Sequence, residues 1–179
     1  MAFDRTFNVA ERREVDRAFE VAEARAAEFY RIPGREWSLF LHDLQTLREG
    51  PGPHPGAFAD VVKLESTGTD TRPREIYRIR VRDDAILSAL SSRRDGIQFF
   101  PLMLYVLTHE MVHVVRFASG LAAFDAEEAA RESEEQRVHR VTRQVLSCVD
   151  DEPLRRVIEA YRSAPATFGP RGGRSPKYA

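Results

Sequence analysis

The sequence lacks the residues that several kinds of protein depend on. Of its 179 residues one is cysteine, Cys148. That excludes an internal disulfide and a thiolate metal cluster, so any metal must be held by His, Glu and Asp. Lysine is nearly absent, at Lys63 and Lys177 only. Acidic and basic residues almost cancel, leaving a net charge of -1. Bulk charge therefore gives no reason to expect nucleic acid or an anionic membrane as a partner. No apolar run is both long enough and free enough of charge to span a bilayer, since the most apolar stretch, residues 99–117, is interrupted by ionisable groups. Residues 1–30 are charged throughout and carry no apolar segment of the secretory-signal kind, so a cytoplasmic location is expected. There is no internal repeat. The length suits one core, expected over residues 1–163. The tail 164–179, rich in Pro, Gly and Arg, is expected to be disordered.

Against that plain background one stretch stands out. Phe99 to Phe117 holds His109-Glu110-Met111-Val112-His113 inside a run of Leu, Val, Met and Phe. On a helix, His109 and His113 lie on one face about a turn apart and can share one metal ion, while Glu110 projects sideways towards a water on that metal. Two imidazoles and a carboxylate are costly to bury in such a run unless something satisfies them. The bland alternative is a core helix whose histidines hydrogen-bond to neighbours.

The surrounding pattern is mostly helical. From Asn8 to about Tyr30, Val15, Phe19, Ala22, Ala26 and Phe29-Tyr30 recur at helical steps, with Asn8 as cap and Pro33-Gly34 as stop. Residues 36–49 read as a second helix through Trp37, Phe40, Leu41, Leu44 and Leu47, with His42 beside that face. A Gly/Pro loop carrying His54 follows. Residues 57–66 and 75–82 read as two strands of an antiparallel hairpin. Phe58, Val62 and Leu64 share one face of the first, and Tyr77, Ile79 and Val81 alternate with Arg78, Arg80 and Arg82 in the second. That arginine row reads as the wet face of a half-exposed strand. Asp83-Asp84 open a short helix to Ser92, with Ile86, Leu87 and Leu90 inward. Pro101 fits the first turn of the H-E-x-x-H helix and Gly120 its end. A further helix is expected from Ala126, capped by Asp125, to about Val149, with an acidic first half and an inward row of Val138, Val141, Val145, Leu146 and Val149. A last one begins at Pro153.

A catalytic zinc site commonly uses three protein ligands. His42 and His54 lie upstream in less suitable settings. Downstream, Glu134, Glu135 and His139 share one helix, and Glu135 and His139, four apart, share a face. Glu134 lies nearer the centre of the Val138, Val141 and Val145 stripe, so the third ligand stays open between Glu135, Glu134 and His139.

His109-Glu110-Met111-Val112-His113, followed some twenty residues on by a glutamate on a second helix, resembles the gluzincin class of zinc metallopeptidases, thermolysin-like in its site. The resemblance covers residues 105–146 by motif. It implies a zincin-like α+β fold, mainly helical, with a small antiparallel hairpin packed on the active-site helix and a following ligand-bearing helix. It implies Zn2+ held by His109, His113 and Glu135, with Glu110 as the general base and a peptide or protein as substrate. His139 stands where such enzymes carry an aspartate that orients the first histidine. The resemblance also asks for an edge strand to hold extended substrate, and residues 75–82 are the one segment to propose. Tyr105 and Arg116 share the histidine face and are candidates for steadying an oxyanion, or Arg116 for orienting Glu135. The alternatives are a di-iron carboxylate helical site, against which Gln136 stands where a second E-x-x-H would need glutamate, and a zinc-binding regulatory domain. Oligomeric state, substrate and cleavage preference are not legible.

Overall fold

The computed structural model describes residues 6–33, 42–47, 57–65, 75–92 and 96–162. The loop with His54, the connector before residue 75 and the tail 164–179 lie outside them. Among the described residues the chain is mainly helical with one small sheet, an α+β arrangement.

Helix α1 (Val9–Tyr30) begins at a reciprocal cap. Asn8 Oδ1 accepts from the Glu11 N–H at 2.9 Å, and the Glu11 carboxylate accepts from the Asn8 N–H at 2.7 Å. It ends at Arg31, which takes a left-handed conformation (φ 55°) and turns its N–H back to the Ala27 and Glu28 carbonyls. Val15, Ala18, Ala22 and Ala26 are its buried face. Three of these are alanines, which lets the helix lie close along the H-E-x-x-H helix. Phe29, expected inside, is exposed.

The sheet holds three strands: β1 (His42–Leu47), β2 (Ala59–Glu65) and β3 (Glu75–Arg82), in the order β1-β3-β2. β2 and β3 pair antiparallel, from Ala59 opposite Val81 to Glu65 opposite Glu75, as the hairpin reading expected. β1 corrects the reading of 36–49 as a helix. Its residues pair parallel with β3, from His42 opposite Tyr77 to Leu47 opposite Arg82. Leu44 and Leu47 suit a helix face and a strand equally, and the open flank of β3 decides the matter by supplying backbone partners from far along the chain. The remainder of that expected helix is not among the described residues.

The same topology overturns β3 as the substrate-binding edge. It is the central strand, and its backbone groups are taken on both sides. The expected core face at β2 holds only in part: Phe58 is buried in the core, but Val62 and Leu64 are not. Ala59 and Val61 are buried against Ile79 and Val81, while Val62 and Leu64 stand half-buried on the other side. Register explains this. Asp60 must face Arg80, its cross-strand partner, and their ion pair sits on the face away from the core. Arg82 likewise pairs with Asp84 at 2.8 Å.

Helix α2 (Asp83–Ser92) follows β3 directly. Asp83 is buried, and its Oδ2 accepts the Phe7 N–H at 2.9 Å, tying the start of α1 to the end of the sheet. Helix α3 (Phe99–Ala118) is the centre of the molecule, packing against α1, β2, β3 and the two helices that follow. Every residue from Pro101 to Phe117 is buried. Gly120, at φ 66°, lets the chain turn off its end. Helix α4 (Glu128–Leu146) starts later than expected, with Glu127 rather than Asp125 at the cap, and stops before Val149. Its acidic residues Glu127, Glu128 and Glu132 are exposed, which makes that acidity a solvated face. Helix α5 (Glu152–Ala160) carries Pro153 in its first turn and buries Leu154 and Val157. No described helix is long and apolar enough to cross a membrane.

Candidate metal centre

Helices α3 and α4 bring the chemically active side chains together. Ridge spacing on α3 stacks His109 over His113, with ring centroids 5.0 Å apart. On α4 the same spacing stacks Glu135 over His139. Where the helices face each other, the Glu135 carboxylate spreads between the rings. Its Oε1 lies 3.0 Å from His109 Nε2 and 3.3 Å from His139 Nε2, and its Oε2 lies 3.1 Å from His113 Nε2. All four residues are buried. The ligand atoms of His109, Glu135 and His139 lie within 4.8 Å of one another, so this group could hold a metal ion.

The spacing itself tests the fit. Donors that share one small ion are separated by about 3.3 Å, and His109 and His139 lie 3.0 and 3.3 Å from the same Glu135 oxygen, Oε1, with His113 at 3.1 Å from the other. Protonation states agree with it. Burial drives His109 down to about 4, so the ring is neutral, the form a metal needs. Burial pushes Glu135 up, but His109, His113 and His139 outweigh it and hold its carboxyl below the usual carboxylate range. His113 lies beside the group of His109, Glu135 and His139, on the other oxygen of Glu135, and is not one of the three.

Glu110 is the group most in need of explanation. It is wholly buried, and neither carboxylate oxygen has a hydrogen-bond partner among the described residues. Burial, then the negative charges of Glu135 and Asp60, push its carboxyl well above the usual range. A cation held beside Glu135 would offset both penalties.

The other candidates are assigned by contact. Glu134 is not in the cluster: Arg116 grips it through Nε and Nη2, the latter at 3.0 Å. Arg116 therefore binds Glu134, not Glu135, and does not point to an oxyanion. The Tyr30 hydroxyl lies in the same neighbourhood; burial raises it and Arg116 opposes that. Tyr105 meets His139 Nδ1 at 3.1 Å and stacks on Tyr161 at 5.7 Å, and burial pushes its phenol up to about 12. It too is engaged rather than presented to a reacting group. His42 is on β1, level with Tyr77, and His54 lies outside the described residues. Sequence reasoning missed Asp60 and Tyr30. Asp60 had one available signal, an acid inside an apolar strand, and Tyr30 had none. In comparisons with protein-family models, curated proteins and solved structures, nothing matches this chain.

Proposed function

We propose that the chain is a zinc-dependent hydrolase of the zincin type, a metallopeptidase acting on a peptide or protein substrate. His109, His113 and Glu135 hold Zn2+, and Glu110 is the general base. The observation that carries this reading is the Glu135 carboxylate shared between both histidines of the H-E-x-x-H motif, 3.0 Å from one and 3.1 Å from the other. When bound, zinc lowers the pKa of water to about 7 and polarises a carbonyl. The chain's own residues do the rest. Neutral His109 and ionised Glu135 arrive in the ligating forms and need no proton released from His109. Glu110, whose basicity burial raises, takes the proton of the attacking water and returns it to the leaving amine. The layout also supports the reading: a ligand-bearing helix packed under β2 and β3, followed by a second ligand-bearing helix.

The test is metal analysis followed by Glu110→Gln. The purified protein is expected to bind one zinc ion and to cleave an unfolded protein substrate. Glu110→Gln is expected to keep the zinc and lose about 10²–10⁴-fold in rate. Full activity in the variant overturns the base assignment.

A second reading, a metal-binding protein without peptidase activity, has one observation in its favour. His109 and Glu110 are 0 % exposed and His113 1 %, the enclosure that structural metal sites have. Stoichiometric zinc with no hydrolysis of any peptide library would select it.

A further inference from the structure

His139 has a neighbour at each ring nitrogen, but only the one at Nδ1 has the geometry of a hydrogen bond. Nδ1 is 3.1 Å from the Tyr105 hydroxyl. Nε2 is 3.3 Å from Glu135 Oε1, on the side where His109 lies, the two rings being 4.6 Å apart between centroids. A neutral imidazole carries one proton, so two arrangements are open to it. In one, the Tyr105 O–H donates to Nδ1, and the Nε2–H lies beside Glu135 Oε1 without a hydrogen bond to it. In the other, the Nδ1–H donates to the Tyr105 oxygen and Nε2 presents a lone pair to the space shared with His109 and Glu135. The second is the arrangement of a metal-ligating histidine, which donates its other N–H to a fixed acceptor. Tyr105 is well placed to be that acceptor. It is buried and is held by its stack on Tyr161.

We propose that His139 is a fourth protein ligand of the ion held by His109, His113 and Glu135, with Tyr105 as the residue that sets its tautomer. This rests on the reading that the cluster holds zinc. The resting centre is then three imidazoles and one carboxylate. The position that a three-ligand hydrolytic site leaves for water is filled by the chain itself. His139 is thus both a clamp and a gate: it strengthens the hold on metal, and it must leave before water can enter.

The experiment is long-range 15N NMR of the histidine rings in the zinc-loaded wild-type protein, together with zinc affinity by chelator competition. The expected result is His139 with its proton on Nδ1 and Nε2 at a metal-bound shift. His139→Ala is expected to weaken zinc about 100-fold or more, and Tyr105→Phe about 10-fold. Zinc bound with the His139 proton on Nε2, or with affinity unchanged in His139→Ala, overturns the fourth ligand and leaves the three-ligand hydrolase standing. A wild-type protein that binds no zinc overturns both. The ring spectrum of the wild type decides the question even if a variant fails to fold.

Discussion

The two halves of α3 are buried to the same depth and filled with opposite chemistry. From Leu102 to Leu107 the helix carries Leu, Met, Leu, Tyr, Val and Leu, all buried. From Thr108 to Arg116 it carries Thr108, His109, Glu110, His113 and Arg116, all buried as well. The first half stabilises the fold simply by leaving water, at about 25 cal/mol per Å2 of apolar surface. The second half costs free energy on leaving water, offset in part where Glu135 lies beside the histidines and Glu134 pairs with the arginine, and not offset at Glu110, whose carboxylate has no hydrogen-bond partner among the described residues. A helix needed for packing alone would continue as it began. The switch at Thr108 marks where the helix stops being only a scaffold.

The comparison can be broken by mutation. Arg116→Ala is expected to have the largest effect, about 3–5 kcal/mol by chemical denaturation, because among the described residues it leaves the Glu134 carboxylate only the exposed Arg137, 4.0 Å away. Adding Glu134→Gln to it should recover much of that loss; if the double variant is as unstable as the single one, the pair's role is packing and not charge. Leu107→Ala comes next, at about 2–5 kcal/mol with a cavity left behind. Its loss should be the same with and without zinc, since Leu107 belongs to the apolar half. A zinc-dependent loss would erase the distinction between the halves. The smallest effect concerns a buried acid off α3. Burial raises the Asp83 carboxyl above its ordinary 3.8, although its hydrogen bond from the Phe7 N–H opposes that. The native state therefore holds that proton more tightly than the unfolded chain does. Stability from this group is full below 3.8 and declines as pH rises from there through the raised native value. Asp83→Asn should flatten the slope in that window while keeping an acceptor for Phe7; an unchanged slope would show that the group titrates normally.

Much of this was legible in the sequence, for identifiable reasons. α1, α3 and α5 and the β2–β3 pair announce themselves through caps, proline and glycine positions and clean periodicity, all local signals. β1 does not, because six residues with two leucines three apart satisfy both periods, and its partner lies some thirty residues further on. The face of β2 was misread for a similar reason: Ala59 is a weak apolar signal beside Val62 and Leu64, and the pairing of Asp60 with Arg80 fixed the register. At the site, the types and spacing of His109 and His113 were enough to place them on one face, while the third ligand stayed open between Glu135, Glu134 and His139. The neighbours Glu134 and Glu135 could not be told apart, because the choice depends on how α4 is rotated against α3. Arg116 makes that choice by taking Glu134, and Tyr105 fixes His139 in the same way.

The meeting of α3 and α4 has a consequence for the unfolded chain. His113 and Glu135 are 22 positions apart, and any ion they share ties those positions together as a covalent bridge would. Closing a loop of that length removes conformational freedom worth about 3 kcal/mol from the unfolded ensemble. The ion would then act as a removable cross-link, and chelation would lower the resistance of this helix pair to unfolding even where no catalysis is measured.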